Sequence, residues 1–556
     1  MIRTRGGAPW QDFLKAHQTF PAIVEQKASS DPNALFVHCR SEGSASWGQL
    51  YADTLAWSDR LAALGVRKGD VVATILDAGL TAMSLWLGMA RIGAIDATVN
   101  SQFRGSMLVH ALTTCRPRVV VVESRYLPNL AQVAGDLATV EKVLVLGDGI
   151  ASRERLRGIR EVIHFADVHE RPGLAEPLAQ SPQWHDIACV SFTSGTTGPS
   201  KAVMLPWGQL LCNNLGTFPF EDLTAEEVFY CVTSHAHFGA KAIPYMAAMA
   251  GGQVVVRPRF SLSSFWDDVH RFNVTSAMLV GTMAQMLMRQ TEAPRSTTLR
   301  NVFMTPLSNS YDDFVRRFGV RVKTVYSSTE LSIPICSEWN PANQQTSGRL
   351  RNGFPGFEVR LVDANDQEVA EGQPGECIVR SAVPWSMNAG YLNNPEATAS
   401  AWRNGWFHTG DVLMRNTEGD YVFVDRLKDV IRRRGENISS AEVEADVVAN
   451  PDVAECAAVA VAAEEGDDEI LLFVVAVPGS NLTEQALCAE LADRMTPFMV
   501  PRFVEFLPAM PKTDATQRIV KADLRDRGLG PQTWDRLSAT FREASFSSIA
   551  PFDRNP

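Results

Sequence analysis

The sequence lacks the marks of several specialised chain classes. None of its nine cysteines stands in a CxxC spacing, and the count is odd. Neither a metal knuckle nor a secreted disulfide frame is therefore expected. Most of these thiols read as small buried apolar side chains in a reducing compartment. No apolar run approaches the ~18 residues that cross a bilayer. The longest clean run, Ile470 to Val477, reads as a buried strand. The opening residues, MIRTRGGAPWQDF, have no apolar core of a signal peptide. Positive charge is not in excess: 52 Lys and Arg stand against 63 Asp and Glu, a formal net charge of -11. Such a chain lacks the bulk attraction to polyphosphate that nucleic-acid binders use. The expectation is a cytoplasmic protein with neither nucleic-acid nor membrane partners.

What remains is ordinary globular composition over 556 residues, 45% hydrophobic and 21% charged. That length allows more than one domain, and that balance excludes a mainly disordered chain. Val71–Leu76, Val119–Glu123, Lys142–Leu146, Ala188–Phe192, Val228–Val232, Val254–Val256 and Val302–Met304 read as strands. Helical stretches such as Met83–Ile92 and Gly105–Leu112 lie between them. The alternation predicts an α/β fold with largely parallel sheets. From about Asp363, Gly and Pro punctuate short strands. A charged stretch, DRLKDVIRRRGENISS, then runs from 425 to 440. Beyond it, a helix over 441–449, strands near 453–461 and 470–477, and a helix near 483–494 suggest a compact α+β unit. The predicted organisation is a large N-terminal domain of layered sheets flanked by helices, 1–425, and a small C-terminal domain, 426–556.

The strongest local signal is Thr193-Ser-Gly-Thr-Thr-Gly-Pro-Ser-Lys201, directly after an apolar run. Gly195 and Gly198 allow close backbone approach to a ligand. The hydroxyls of Thr193, Ser194, Thr196 and Thr197 supply donors, and Lys201 supplies charge. That is the chemistry of a polyphosphate cradle, although the spacing is not the Walker pattern. The competing reading is a polar surface loop. Tyr326-Ser-Ser-Thr-Glu330 places a hydroxyl and a carboxylate after another β-rich run, where Glu330 could hold Mg²⁺. An N-cap followed by an exposed Glu would read the same way. Thr409-Gly-Asp411 offers either a ribose-binding carboxylate or a turn.

The order of the pieces is more specific than any one of them. TSGTTGPSK, YSSTE, GWFHTGD, DRLKDVIRRRGENIS and PKTDATQRIVK together resemble the adenylate-forming superfamily, from about residue 20 to about 526. SLWLGMARIGAIDATVNSQFRG and RRRGENISSAEVE look most like its acyl-CoA ligase branch. The resemblance implies an enzyme that activates a carboxylic acid with ATP and passes the acyl group to CoA. Its small C-terminal domain would be mobile, rotating about a hinge near 425–429 that includes Lys428. By similarity, Thr193–Lys201 would hold the β- and γ-phosphates. Tyr326, Ser327, Thr329 and Glu330 would lie at the nucleotide, with Glu330 on Mg²⁺. Asp411 would bind the ribose, Arg426 would also reach the nucleotide, and His237 would stand beside the acyl group. Arg432, Gly435, Glu436 and Asn437 would line the tunnel for the CoA arm. Arg257, Arg259 and Arg432–Arg434 are candidates for the CoA 3′-phosphate. Homodimers are common among such relatives.

Three positions depart from the pattern. Where the family carries Gly-Lys near its C-terminus, this chain carries Gln517 and Arg518. That lysine bridges the carboxylate and the α-phosphate, and Arg is planar and forked where Lys is a compact point charge. Ser327 stands where the family has Gly, and Met304-Thr305-Pro306 where it has a Gly-Gly-Ala turn. These departures leave two expectations open. In one, adenylation is weak or absent, and the chain thioesterifies an acyl-AMP supplied by a separate adenylating enzyme. In the other it is an ordinary two-step ligase, with Arg518, Lys512 or Lys521 doing the lysine's work. A stand-alone enzyme loading a carrier-protein thiol is a third reading.

Overall fold

The computed structural model describes residues 18–147, 156, 158–168, 181–193, 200–217, 223–290, 297–308, 310–427, 429, 431–433, 436–462, 468–495, 499–513 and 517–541. They form two compact units. The second begins at Val424 and includes Gly410–Leu413, and the first holds the rest of the described chain.

Two seven-stranded sheets of the same plan dominate the first unit. One runs Glu161–His164, Lys142–Leu146, Val119–Glu123, Val71–Ile75, Ile95–Thr98, Ile187–Phe192, Ala202–Pro206. The other runs Arg321–Lys323, Asn301–Met304, Ser276–Leu279, Val228–Cys231, Gln253–Val256, Leu35–Cys39, Gly43–Ser46. Each is parallel except for one antiparallel edge strand, Ala202–Pro206 and Gly43–Ser46 respectively. Central strands such as Val119–Glu123 are buried almost throughout, as strands covered on both faces must be. A third, antiparallel-rich sheet is ordered Val325–Tyr326, Ile335–Cys336, Thr346–Leu350, Tyr421–Arg426, Phe407–Arg415, Gly375–Ser381, Phe357–Val362.

Local signals set the helices. A reciprocal Ser46–Gln49 capping box starts Trp47–Ala63. Gly93, at φ 72°, ends Leu80–Ile92, because only glycine takes the left-handed conformation without a Cβ penalty. Three helices, Leu80–Ile92, Trp207–Thr217 and Gly239–Ala250, share one core cluster with strands of both parallel sheets. At its centre Trp86 stacks on Trp207, ring centroids 5.1 Å apart. Such aromatics bury the largest areas per side chain, about 150–250 Å² each. No disulfide joins the nine cysteines, and all but Cys336 are buried.

In the second unit, Val453–Ala462 pairs antiparallel with Asp468–Ala476, which runs parallel to Phe503–Phe506. Two short strands from the tail, Trp534–Asp535 and Thr540–Phe541, extend this sheet. The helices are Ser440–Val448, Glu484–Arg494 and Lys521–Arg527. Among the described residues, no helix is long and apolar enough to cross a membrane.

Candidate active site

The strand pair that flanks the glycine- and hydroxyl-rich loop fixes where that loop begins and ends. Phe192 pairs with Ala202. Thr193 N–H donates to Lys201 O at 3.0 Å, and Lys201 N–H donates to Thr193 Oγ1 at 3.1 Å. His110 Nε2 donates to Ser200 O at 2.7 Å. Ser194, Gly195, Thr196, Thr197 and Gly198 lie outside the described residues.

Residues 389–392 hydrogen-bond along the outer side of Ala202–Met204, and this brings Tyr391 next to the loop. The Lys201 ammonium lies 4.9 Å from the Tyr391 ring centroid. The Tyr391 hydroxyl donates to Glu330 Oε1 at 3.1 Å, and Ser328 Oγ donates to Glu330 Oε2 at 3.1 Å. Lys201, Tyr391 and Glu330 therefore form a row of cation, ring and carboxylate. Sequence reasoning found the two ends of that row and gave Tyr391 no role.

Buried amides fix the backbone of the Glu330 segment. Gln209 Nε2 donates to Thr329 O at 2.9 Å and to Leu331 O at 3.0 Å. Asn388 Nδ2 and its backbone N–H both donate to Glu330 O, at 2.9 and 3.1 Å. Ser332 Oγ donates to Ser386 O. Three successive carbonyls are thus satisfied by side chains from distant segments, and the carboxylate is aimed by a rigid support. Gln209 lies in the first turn of Trp207–Thr217, the helix that follows the strand leaving the glycine- and hydroxyl-rich loop. Tyr326 is buried, and Ser327 is exposed and outside the left-handed region.

A single carboxylate suits Mg²⁺, which keeps several waters and takes most of its other ligands from phosphate oxygens. Each Glu330 oxygen accepts one hydroxyl, and a carboxylate has about four lone-pair sites, so capacity for an ion remains. Among the described residues, no group of three or more His, Cys, Asp or Glu is arranged to hold a metal.

His237 sits in the turn before Gly239–Ala250. Its Nδ1 accepts the Gly239 N–H at 3.0 Å. A Cβ on Gly239 would lie 3.1 Å from that Nδ1 and 2.8 Å from Met278 Cε, so glycine makes room for the contact. Thr305 donates its hydroxyl to Val325 O at 2.9 Å.

In the second unit, Arg426 Nε pairs with Asp411 Oδ1 at 2.7 Å, and the Asp411 carboxylate is almost fully buried. Arg518 is exposed, with Arg426, Asp411 and Asp429 within electrostatic reach. Its loop is tied by Thr513 N–H to Arg518 O and Gln517 N–H to Thr513 O, both 2.8 Å. Gln517 adopts φ 54°, a conformation that favours glycine. Lys512 is in an ion pair with Glu455 at 2.7 Å, and Lys521 with Glu444 at 2.8 Å.

Two candidates for the CoA phosphate are turned inward instead. Arg257 pairs with fully buried Asp268, and Arg433 pairs with Glu469 at 2.7 Å. Both are buried or half-buried charges that need a partner in a low-dielectric interior. Arg259 is exposed. Ile431–Arg433 pairs antiparallel with Glu436–Ile438. Lys428, Arg434 and Gly435 lie outside the described residues, as do the side chains of Arg432, Glu436 and Asn437.

Residues 24–392 match the model of the AMP-binding enzyme family, and residues 442–516 match that of the AMP-binding enzyme C-terminal domain. The crotonobetaine/carnitine–CoA ligase of Salmonella agona is 29% identical over 469 residues, covering 83% of this chain and 89% of the relative. That of Citrobacter koseri is 29% identical over 489 residues, 86% and 93% of the two chains. Among solved structures, the anthranilate CoA ligase AuaEII with anthranoyl-AMP superposes with a TM-score of 0.77 at 21% identity, covering 92% of this chain and 97% of that one. O-succinylbenzoate coenzyme A synthetase of Bacillus subtilis, with ATP and magnesium, gives 0.76 at 20% identity, covering 91% and 99%. At those identities the structural likeness establishes the α/β fold.

Proposed function

The chain belongs to the AMP-binding enzyme family, and from that premise we propose that it is an acyl-CoA ligase that makes a thioester through an acyl-adenylate. The row Lys201, Tyr391, Glu330 carries this reading. It sets a cation at the end of the phosphate loop and a rigidly held carboxylate on the other side of one ring. The names of the curated relatives and the bound ATP and magnesium of a structural neighbour support it.

The chemistry needs two steps because a carboxylate attacked by a thiol would have to expel oxide. In the first step the carboxylate attacks the α-phosphorus of ATP and pyrophosphate leaves. In the second the CoA thiol attacks the acyl carbon and AMP, a stabilised anion, leaves. Thr193 and Lys201 bind the terminal phosphates, and Asp411 and Arg426 take the ribose hydroxyls. Glu330 would hold Mg²⁺, which neutralises charge on the triphosphate when bound. His237, neutral and protonated on Nε2, donates toward the acyl group.

The first step is the weaker one in this reading. Charge gathers at the α-phosphorus, and a fixed cation must meet it. Arg518 stands at the position of the family's lysine, beside Gln517 in a left-handed conformation. Lys512 and Lys521 are engaged with carboxylates. A forked guanidinium does not reproduce a point charge at a tight site. Such a chain draws its acyl-AMP from a separate adenylating enzyme.

The test is thioester formation, followed by mass spectrometry, with an acid panel or pre-made acyl-adenylates and either CoA or a pantetheinylated carrier protein. Acyl-CoA is expected. Acylation of the carrier alone would move the chain to the carrier-loading class, and no thioester from any donor would overturn the reading.

A further inference from the structure

Asp96 is fully buried in the strand Ile95–Thr98, and two elements hold it at once. Its Oδ2 lies 2.6 Å from the Lys241 ammonium, and its Oδ1 accepts the Thr74 hydroxyl at 2.6 Å. Thr74 Oγ1 in turn lies 2.9 Å from His235 Nε2. Threonine has one hydroxyl proton, and here it points to Asp96. The imidazole must therefore donate from an Nε2–H. Its buried environment favours the neutral form of that donor. Burial, with the Lys241 charge adding to it, pushes the His235 pKa down to about 3 against the opposing pull of Asp96. The Lys241 ammonium also lies 4.5 Å from the Trp86 ring centroid.

Stability alone is a weak reason for such a cluster, because a buried ion pair gains little over well-packed apolar residues of the same volume. Its placement supplies another reason. His235 stands two residues before His237, and Lys241 four residues after. Asp96 thus grips the turn that carries His237 at both ends. Between the grips, Ser191 Oγ donates to Ala236 O at 3.0 Å, and Gly239 N–H donates to His237 Nδ1 at 3.0 Å. Ser191 lies in the strand that leads into the phosphate loop, so one scaffold supports the turn and the loop together. With Nδ1 an acceptor, neutral His237 keeps its proton on Nε2.

We infer that Asp96, acting through Thr74 and His235 on one side and Lys241 on the other, is a positioning residue that orients His237 toward the acyl substrate. This rests on the ligase reading above. Thr74 is the place to test it, because valine nearly keeps the shape of threonine and removes both hydrogen bonds while leaving the Asp96–Lys241 pair in place. The donor is the pre-made acyl-adenylate that wild type converts best, with CoA as acceptor. Thr74→Val should raise KM for that acyl-adenylate about tenfold, with KM for CoA changed by less than about twofold. Thr74→Ser should restore the wild-type value. On a His237→Ala background Thr74→Val should add almost nothing, since coupled residues are non-additive. Ser191→Ala, which loosens the same turn from another side, should show the same pattern. Equal losses on both backgrounds, or a matching rise in KM for CoA, would overturn the inference. If wild type forms no thioester at all, the ligase reading fails separately. Histidine ¹⁵N shifts then decide this one: the His237 nitrogens should shift in Thr74→Val, and unchanged shifts would refute the clamp.

Discussion

The Tyr391 hydroxyl donates to Glu330 at 3.1 Å, while the face of the same ring carries the Lys201 ammonium 4.9 Å from its centroid. One side chain therefore couples the cation at the end of the 193–201 loop to the Glu330 carboxylate, the group we propose for Mg²⁺. Tyr391→Phe removes the hydrogen bond and keeps the ring. A single hydrogen bond is worth about 0.5–1.5 kcal/mol net, so MgATP affinity should fall about 2- to 10-fold. Tyr391→Leu, which also removes the ring, should cost more. Equilibrium titration with MgATP measures both.

Gln209 and Asn388 predict a different outcome, because they hold backbone rather than ligand. Gln209→Leu strands the carbonyls of Thr329 and Leu331 in a buried setting. Each unsatisfied group costs about 1–3 kcal/mol. The variant should unfold at visibly lower denaturant concentration and lose nucleotide binding. Asn388→Ala should act in the same direction but more mildly, since the backbone N–H at 388 still donates to Glu330 O.

The cations of the C-terminal loop can be separated by substitution. Arg518→Lys should raise acyl-AMP formation at least about tenfold, on the scale of one transition-state charge contact. Lys512→Met should change it by less than about twofold, because Lys512 is half-exposed and paired with Glu455, a kind of pair worth about 0–1 kcal/mol. Ser327→Gly should also do little alone, since Ser327 is exposed and needs no left-handed backbone.

His235 makes a pH prediction. Its pKa is pushed down to about 3 in the folded chain, chiefly by burial, from about 6.5 in the unfolded chain. Below pH 6.5 the unfolded chain binds the extra proton, so folding stability falls by about 1.4 kcal/mol per pH unit until the folded value is reached. His235→Gln lacks this loss. The gap in Tm between wild type and His235→Gln should therefore narrow from pH 7.5 to pH 5.5. A constant gap would contradict the buried neutral imidazole.

The α/β architecture was legible because buried parallel strands leave unbroken apolar runs such as Val119–Val122, whose burial is complete. Edges were less so: the helix expected from Met83 begins at Leu80, since Leu-Thr-Ala carries no cap signal to mark the turn. Ordered motifs made Thr193, Lys201, Glu330, Asp411 and Arg518 readable as candidates. Tyr391, Gln209 and Asn388 were not, because their partners lie 61, 120 and 58 positions away and pairing across sheets leaves no local pattern. Asp96 and Lys241 were hidden for the same reason, 145 positions apart. Arg257 and Arg433 read as candidates for the CoA 3′-phosphate, yet each meets an acidic residue that only the fold brings near.

The most direct test separates the two half-reactions in one preparation. Pyrophosphate exchange is measured with the acid panel, and thioester formation is measured from the matching pre-made acyl-adenylates and CoA. The account predicts rapid thioester from the adenylate with little or no exchange, and a gain in exchange alone on Arg518→Lys. Brisk exchange in wild type, unchanged by that substitution, would contradict it and leave an ordinary two-step ligase.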